Sequence, residues 1–210
     1  ADPPFTGSVT GFSAADGVSP AYVRTTGETV AGNPYIISVT LAPAGVLANY
    51  NVTYNTASFT INKASASVTP NAGSKTYGTA DPAFTGSLSG FVAADNVSAV
   101  YSRTNGETVP GNPYSISATL SPAGVLANYN ITYNTAAFTM TARPASVTPN
   151  AASKIYGDAD PAFTGTLSGF VAADGVTATY SRSAGETVAA TPYTISATLS
   201  PASVLGNYNI

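Results

Sequence analysis

The sequence predicts an all-β protein: a tandem, elongated array of small immunoglobulin-like β-sandwich modules, with β-grasp-like modules as the alternative. Three observations lead there. Nearly the same text recurs every 79 residues. Within each copy, apolar and polar residues alternate with a period of two, the pattern of half-buried strands. The composition is 44% hydrophobic but only 8% charged, with many Tyr, Phe, Val and Ile. That combination fits a β protein with short turns and does not fit a disordered chain.

The repeat is read directly. KTYGTADPAFTGSLSGF (Lys75 to Phe91) returns as KIYGDADPAFTGTLSGF (Lys154 to Phe170), and the chain opens on ADPPFTGSVTGF. Asp2, Asp81 and Asp160 stand 79 apart, as do Arg24, Arg103 and Arg182. So do Glu28, Glu107 and Glu186, and Tyr50, Tyr129 and Tyr208. One folding unit is therefore used three times without insertions. The modules are residues 1–62, 63–142 and 143–210. The first has no counterpart of Ser65 to Thr79, and the third none of Thr132 to Met140. Either the sequence is a window on a longer array, or strands are exchanged between molecules. The copies disagree at Asn62–Ser65 against Thr141–Pro144. That reads as a short linker held extended by Pro144.

About seven strands are expected per module. Tyr114 to Leu120 and Tyr193 to Leu199 alternate without a fault, and Val97 to Arg103 nearly so. Phe84 to Leu88 continues the theme, and Ser146 to Thr148 marks one more strand. Between Arg103 and Glu107, the loop Thr-Asn-Gly ends in Gly, as it does in the other two copies. This predicts a three-residue hairpin loop with a left-handed glycine, and an exposed Arg103–Glu107 pair worth well under ~1 kcal/mol. The apolar parity of Asn130 to Tyr133 is opposite to that of Phe138 and Met140. A turn or bulge is therefore required at Asn134 to Ala136, because one strand cannot swap faces. Ser121 to Asn128 is the only plausible helical turn. Tyr101, Tyr114, Tyr129 and Tyr133 share the parity of Ile116, Leu120 and Ile131, so they are assigned to the core rather than to carbohydrate stacking.

Composition also excludes function classes. Cys and His are absent, so no disulfide framework, thiolate metal site or histidine base is available. Net charge is −3 with seven scattered Lys and Arg, which offers nothing to a nucleic acid backbone. No apolar run is long enough to insert in a membrane, and no signal peptide is visible.

Several blocks in fixed order resemble the MBG repeat of YGX type: Tyr77-Gly78-x-x-Asp81-Pro82-x-Phe84, then Gly-Glu-Thr, then Asn128-Tyr129-Asn130-Ile131-Thr132-Tyr133. The resemblance covers essentially the whole chain. It implies a module used in tandem in very large bacterial surface and secreted proteins of adhesin character. An extracellular, cell-surface location in a stalk, adhesin or biofilm fibre is thus expected. The family supplies no catalytic residues to carry over.

Chemistry in the chain itself is weakly signalled. Asp158, Asp160 and Asp174 invite calcium, but Asp158 is peculiar to one copy and Asp-Pro and Asp-Asn pairs are ordinary turn formers. Lys75 and Lys154 with Glu107 and Glu186 invite a Lys–Asn isopeptide bond, against which stands a lysine merely laid over apolar surface. No catalytic, cofactor-binding or metal-ligating residue is assigned, no cofactor is expected, and the chain reads as a non-enzyme. Two roles remain: a structural array forming a stalk, adhesin shaft or self-assembling fibre, or multivalent modules that bind a glycan or host protein. Expected partners are neighbouring repeats, with lateral or head-to-tail self-association, and a glycan or host surface.

Overall fold

Strand after strand follows the alternation, joined by 3-10 turns and two four-residue helices, α1 (Ala123–Leu126) and α2 (Ala202–Leu205). The computed structural model describes every residue except Thr191. The architecture is mostly β, with several separate sheets. Two compact units are present. The first comprises residues 1–67, 88–98 and 120–132; the second comprises 68–87, 99–119 and 133–210. Each contains one complete repeat boundary, because the division runs through the second repeat.

In the first unit, β1 (Ser19–Arg24), β2 (Tyr35–Ala42) and β3 (Ala57–Phe59) form an antiparallel sheet in that order. Tyr35, at 5% exposure, is its buried residue. Phe59 meets Phe5 edge-on at 5.4 Å.

The second repeat carries seven strands, as the alternation predicts. They are β4 (Ala64–Pro70), β5 (Gly73–Thr76), β6 (Gly86–Ser89), β7 (Ser98–Arg103), β8 (Tyr114–Ser121), β9 (Tyr129–Tyr133) and β10 (Ala136–Thr141). They divide into a four-stranded sheet ordered β5-β10-β8-β7 and a three-stranded sheet ordered β6-β4-β9. The change of parity at Asn134 now has its cause: β9 belongs to one sheet and β10 to the other.

In the second unit, β10 lies parallel to β5 and antiparallel to β8. Phe138 and Ile116 are fully buried there, with Met140 and Tyr114 beside them. Phe84 packs edge-on against Phe138 at 5.5 Å. The third repeat adds β11 (Arg143–Pro144), β12 (Ser146–Pro149), β13 (Gly165–Ser168), β14 (Thr177–Arg182), β15 (Ile195–Ser200) and β16 (Tyr208–Asn209). These pair as β11 with β16, β12 with β13, and β14 with β15.

Four expectations are corrected. The hairpin after Arg103 is not three residues long; β8 starts only at Tyr114, and a 3-10 turn at Val109–Gly111 fills the interval. Gly106 has φ +145°, and a Cβ there would stand 2.2 Å from the Tyr114 ring, so the glycine admits a ring rather than closing a bulge. Tyr133 is 53% exposed, because it ends its strand. The helical turn at Ala123–Leu126 exists, but 3-10 turns at Ala93–Asp95 and Val109–Gly111 accompany it. At the second junction the linker is absorbed into structure: Arg143–Pro144 pairs in parallel with Tyr208–Asn209, leaving only Ala142 between β10 and β11, whereas at the first, residues 60–63 separate β3 from β4.

Candidate functional site

The short helices end on Asn-Tyr, and that dipeptide organises the boundary between repeats. A four-residue helix leaves its last carbonyls to be met by the following backbone. The N–H of Asn128 donates to the Val125 carbonyl at 3.0 Å, and that of Asn207 to the Val204 carbonyl at 3.0 Å. Each Asn side chain is thereby held against the preceding repeat. In the first unit, Asn128 Oδ1 accepts the Val30 N–H at 2.9 Å, and its carbonyl accepts the Ala64 N–H at 3.0 Å. In the second unit, Asn207 Oδ1 accepts the Val109 N–H at 2.8 Å, and its carbonyl accepts the Arg143 N–H at 3.0 Å. The two boundaries are chemically the same joint. One asparagine gathers the turn of the earlier repeat and the entering strand of the later one.

The tyrosine that follows makes a second, internal latch. Tyr208 accepts the Val171 N–H at 3.0 Å and donates to Asp174. Tyr129 does the same with Val92 and Asp95, and Tyr50 with Ser13 and Asp16. At the boundary in the second unit a further tyrosine joins. The Tyr77 hydroxyl lies 3.0 Å from both oxygens of Asp174, and its ring meets that of Tyr208 edge-on at 5.4 Å. Burial, and then the Asp174 carboxylate, push the Tyr77 phenol up to about 12. Gly78 follows at φ +77°, where a Cβ would stand 2.5 Å from Val171 Cγ2. Arg143 Nε donates to the Gly169 carbonyl at 2.7 Å, beside the same contact.

The charged residues singled out by the repeat form a second cluster, in the second unit. Arg103 makes a two-pronged pair with Asp81 at 2.7 and 3.0 Å and also bonds Glu107. Its remaining donors reach the carbonyls of Thr104 at 3.0 Å and Gly106 at 2.6 Å. Its guanidinium covers the Phe138 ring at 5.0 Å and the Tyr114 ring at 5.3 Å. Lys75 Nζ lies 2.7 Å from Asp81 and 2.5 Å from Glu107. Glu107 is 62% exposed, as expected of a surface pair, but the Arg103 side chain is only 7% exposed, so the arginine's half of that expectation is corrected. The loop folds back over the cation as a lid on the core. Asp81 is held down at about 2 by the Arg103 hydrogen bonds, with Lys75 adding to the effect. Burial alone would lower Lys75, but Asp81 and Glu107 outweigh it and keep its ammonium above the ordinary range.

That arrangement decides what chemistry is open. An amide cross-link needs a neutral amine and an uncharged acyl partner. Lys75 faces two carboxylates, not an Asn carboxamide, and both members of the nearest pair are charged. Two of the three acids considered for calcium are engaged elsewhere: Asp160 bonds Arg182 and Lys154, and Asp174 bonds Tyr77 and Tyr208, while Asp158 meets Lys154 through its backbone carbonyl. Among the described residues no three acids gather as a cation cage.

Sequence reasoning found the recurring Arg, Glu, Asp and Tyr. It missed Asn128 and Asn207 as boundary residues, and it missed their partners Val30 and Val109. The signal available was recurrence at 79 residues, but each pair spans 98, so it links a copy to the one before.

Fold and joint together define a β-rich tandem-repeat protein whose copies are tied directly to one another. Within that class the chain belongs to the MBG domain family, YGX type, whose family model matches residues 1–60, 66–139 and 145–210. No curated protein and no solved structure matches it.

Proposed function

We propose that the chain is a load-bearing stretch of an extracellular repeat array, the shaft of a bacterial stalk, adhesin or fibre, with no catalytic activity of its own. The observation that carries this reading is the doubly bonded asparagine shared by both repeat boundaries. At the second boundary a single residue after β10 limits the freedom between copies further. The seven strands, split four and three between sheets, support an immunoglobulin-like sandwich as the finer architecture of the second repeat. Parallel pairing of β10 with β5 is compatible with it, since a first strand that changes sheet can end beside the last. Load along the chain would fall on strand hydrogen bonds, which yield together rather than singly.

Single-molecule stretching of the chain tests the mechanical half. Discrete unfolding steps above the noise are expected for the repeats. Smooth, featureless extension would end the reading. The location is tested by antibody labelling of intact producing cells, where labelling only after permeabilisation would contradict it.

A further inference from the structure

β1, β7 and β14 are corresponding strands of the three repeats, and each stands at an edge of its sheet. An edge strand pairs on one side only, so every second residue turns its N–H and C=O away from the sheet. One bond in each copy fixes which residues these are. The N–H of Thr25 donates to the Ile36 carbonyl, that of Thr104 to the Ser115 carbonyl and that of Ser183 to the Thr194 carbonyl, each at 2.9 Å. Counting back from Thr104 by twos, Ser102 and Val100 bond toward β8. The backbone groups of Ala99 and Tyr101 therefore face outward, and among the described residues no strand pairs with them. β7 lies in the repeat that carries all seven strands, so this edge is not a product of where the sequence begins or ends.

The edges are guarded differently. In β1 the position matching Ala99 is Pro20, which has no N–H and so interrupts an incoming ladder. β7, Ser-Ala-Val-Tyr-Ser-Arg, holds neither Pro nor Lys. Its one charge, Arg103, is turned inward and held by Asp81 and Glu107. Val100, in the middle of the strand, is 71% exposed. The matching residues are Ala21 in β1 and Thr179 in β14. Of these three strands, only β7 combines an open ladder with an exposed large apolar side chain at its centre.

We propose that β7 pairs antiparallel with β7 of a second copy of this chain. The phase of the strand sets the register, because outward backbone groups must meet outward backbone groups. Ala99 then faces Tyr101 of the second copy, Tyr101 faces its Ala99, and each pair exchanges two bonds. The two Val100 side chains face each other across the two-fold axis as a close, non-hydrogen-bonded pair, with Cα atoms about 4.5 Å apart. Ser98 meets Ser102, and no like charges are opposed. Moving the axis to Tyr101 would keep the ladder but set Val100 against Ser102 and lose the apolar pair. The occupant is a second copy because the edge is complementary to itself in this register, which is the condition for a two-fold contact. One ladder of this length is a small contact, so the dimer is weak and concentration-dependent. The inference goes beyond the load-bearing reading and stands or falls separately from it.

The chain lacks Cys, so an introduced thiol reports on one position. Under mild oxidation Val100→Cys should form a disulfide-linked dimer about tenfold faster or more than Ala21→Cys, its counterpart on the guarded edge, because a close facing pair meets disulfide geometry. Sedimentation velocity of the unsubstituted chain should show a monomer–dimer equilibrium below about 1 mM. Ala99→Pro copies Pro20 into β7. It removes two bonds across the axis and should raise the dissociation constant about tenfold or more. That N–H faces outward, so the repeat itself loses no bond, and circular dichroism checks the fold. The cross-linking rates keep the test decisive should that substitution disturb folding. A monomer up to millimolar concentration, an unchanged constant for Ala99→Pro, or equal cross-linking of Val100→Cys and Ala21→Cys would each overturn the proposal. So would faster cross-linking between Val100→Cys and Thr179→Cys chains than among Val100→Cys chains, which would put β14 opposite β7.

Discussion

Asn207 accepts the backbone N–H of Val109 through its carboxamide oxygen at 2.8 Å, across a sequence separation of 98. It is 4% exposed, so water cannot replace either partner cheaply. Asn128 makes the same bond to Val30 but is only partly buried. The same joint therefore sits at two depths.

That gradient is measurable. Asn207→Ala is expected to cost about 1–3 kcal/mol in denaturant unfolding and Asn128→Ala less. Amide exchange at Val109 should quicken in Asn207→Ala. No loss of stability at either position would show that the joint contributes nothing.

Gly78 and Gly157 separate packing from backbone strain. Both have positive φ, +77° and +94°, but only Gly78 faces a close neighbour, Val171. Gly157→Ala should cost about 1 kcal/mol from backbone conformation alone. Gly78→Ala should cost about 3 kcal/mol or more, because overlap is added to the strain. Thermal unfolding of the two variants side by side checks this.

Tyr77 predicts an alkaline limit. Its pKa is raised to about 12 in the folded protein, by burial and then by Asp174, from the ordinary value of 10.0. The folded state thus favours the neutral phenol. This contribution is fully present below pH ~10 and is lost as pH rises through ~12. Denaturant midpoints should fall across that window, and Tyr77→Phe should fall less steeply. An unchanged slope would remove Tyr77 from the account.

Asp81 predicts the opposite limit. Its carboxylate is held at about 2 by Arg103, so its contribution is present above pH ~4 and disappears as pH falls through ~2. Because Asp81 is about a third exposed, screening limits this to roughly 1–2 kcal/mol. Asp81→Asn should lower stability at neutral pH and flatten the acid limb. Arg103→Lys should also destabilise, since a lysine cannot make the two-pronged pair or cover both rings.

The same cluster sets an expectation for covalent chemistry. With Lys75 protonated and Asp81 ionised, the intact mass should equal the sequence mass. A deficit of one water or one ammonia per repeat would show a cross-link.

Several levels of this protein were legible in the residues alone. The 79-residue period, the β class and seven strands in the second repeat follow from local, periodic properties of text. The parity change at Asn134 announced a break, although not that the chain there moves to another sheet. Burial of Arg103 was not legible, because a charged residue beside a glycine loop reads as surface until the loop is seen to fold over it. Tertiary structure alone decided the joint. The bond from Asn207 ends on a backbone N–H, which is the same whatever the side chain, so Val109 carries no mark of being a partner. A repeating sequence specifies the copy; the way one copy docks on the next depends on surfaces brought together only when both are folded.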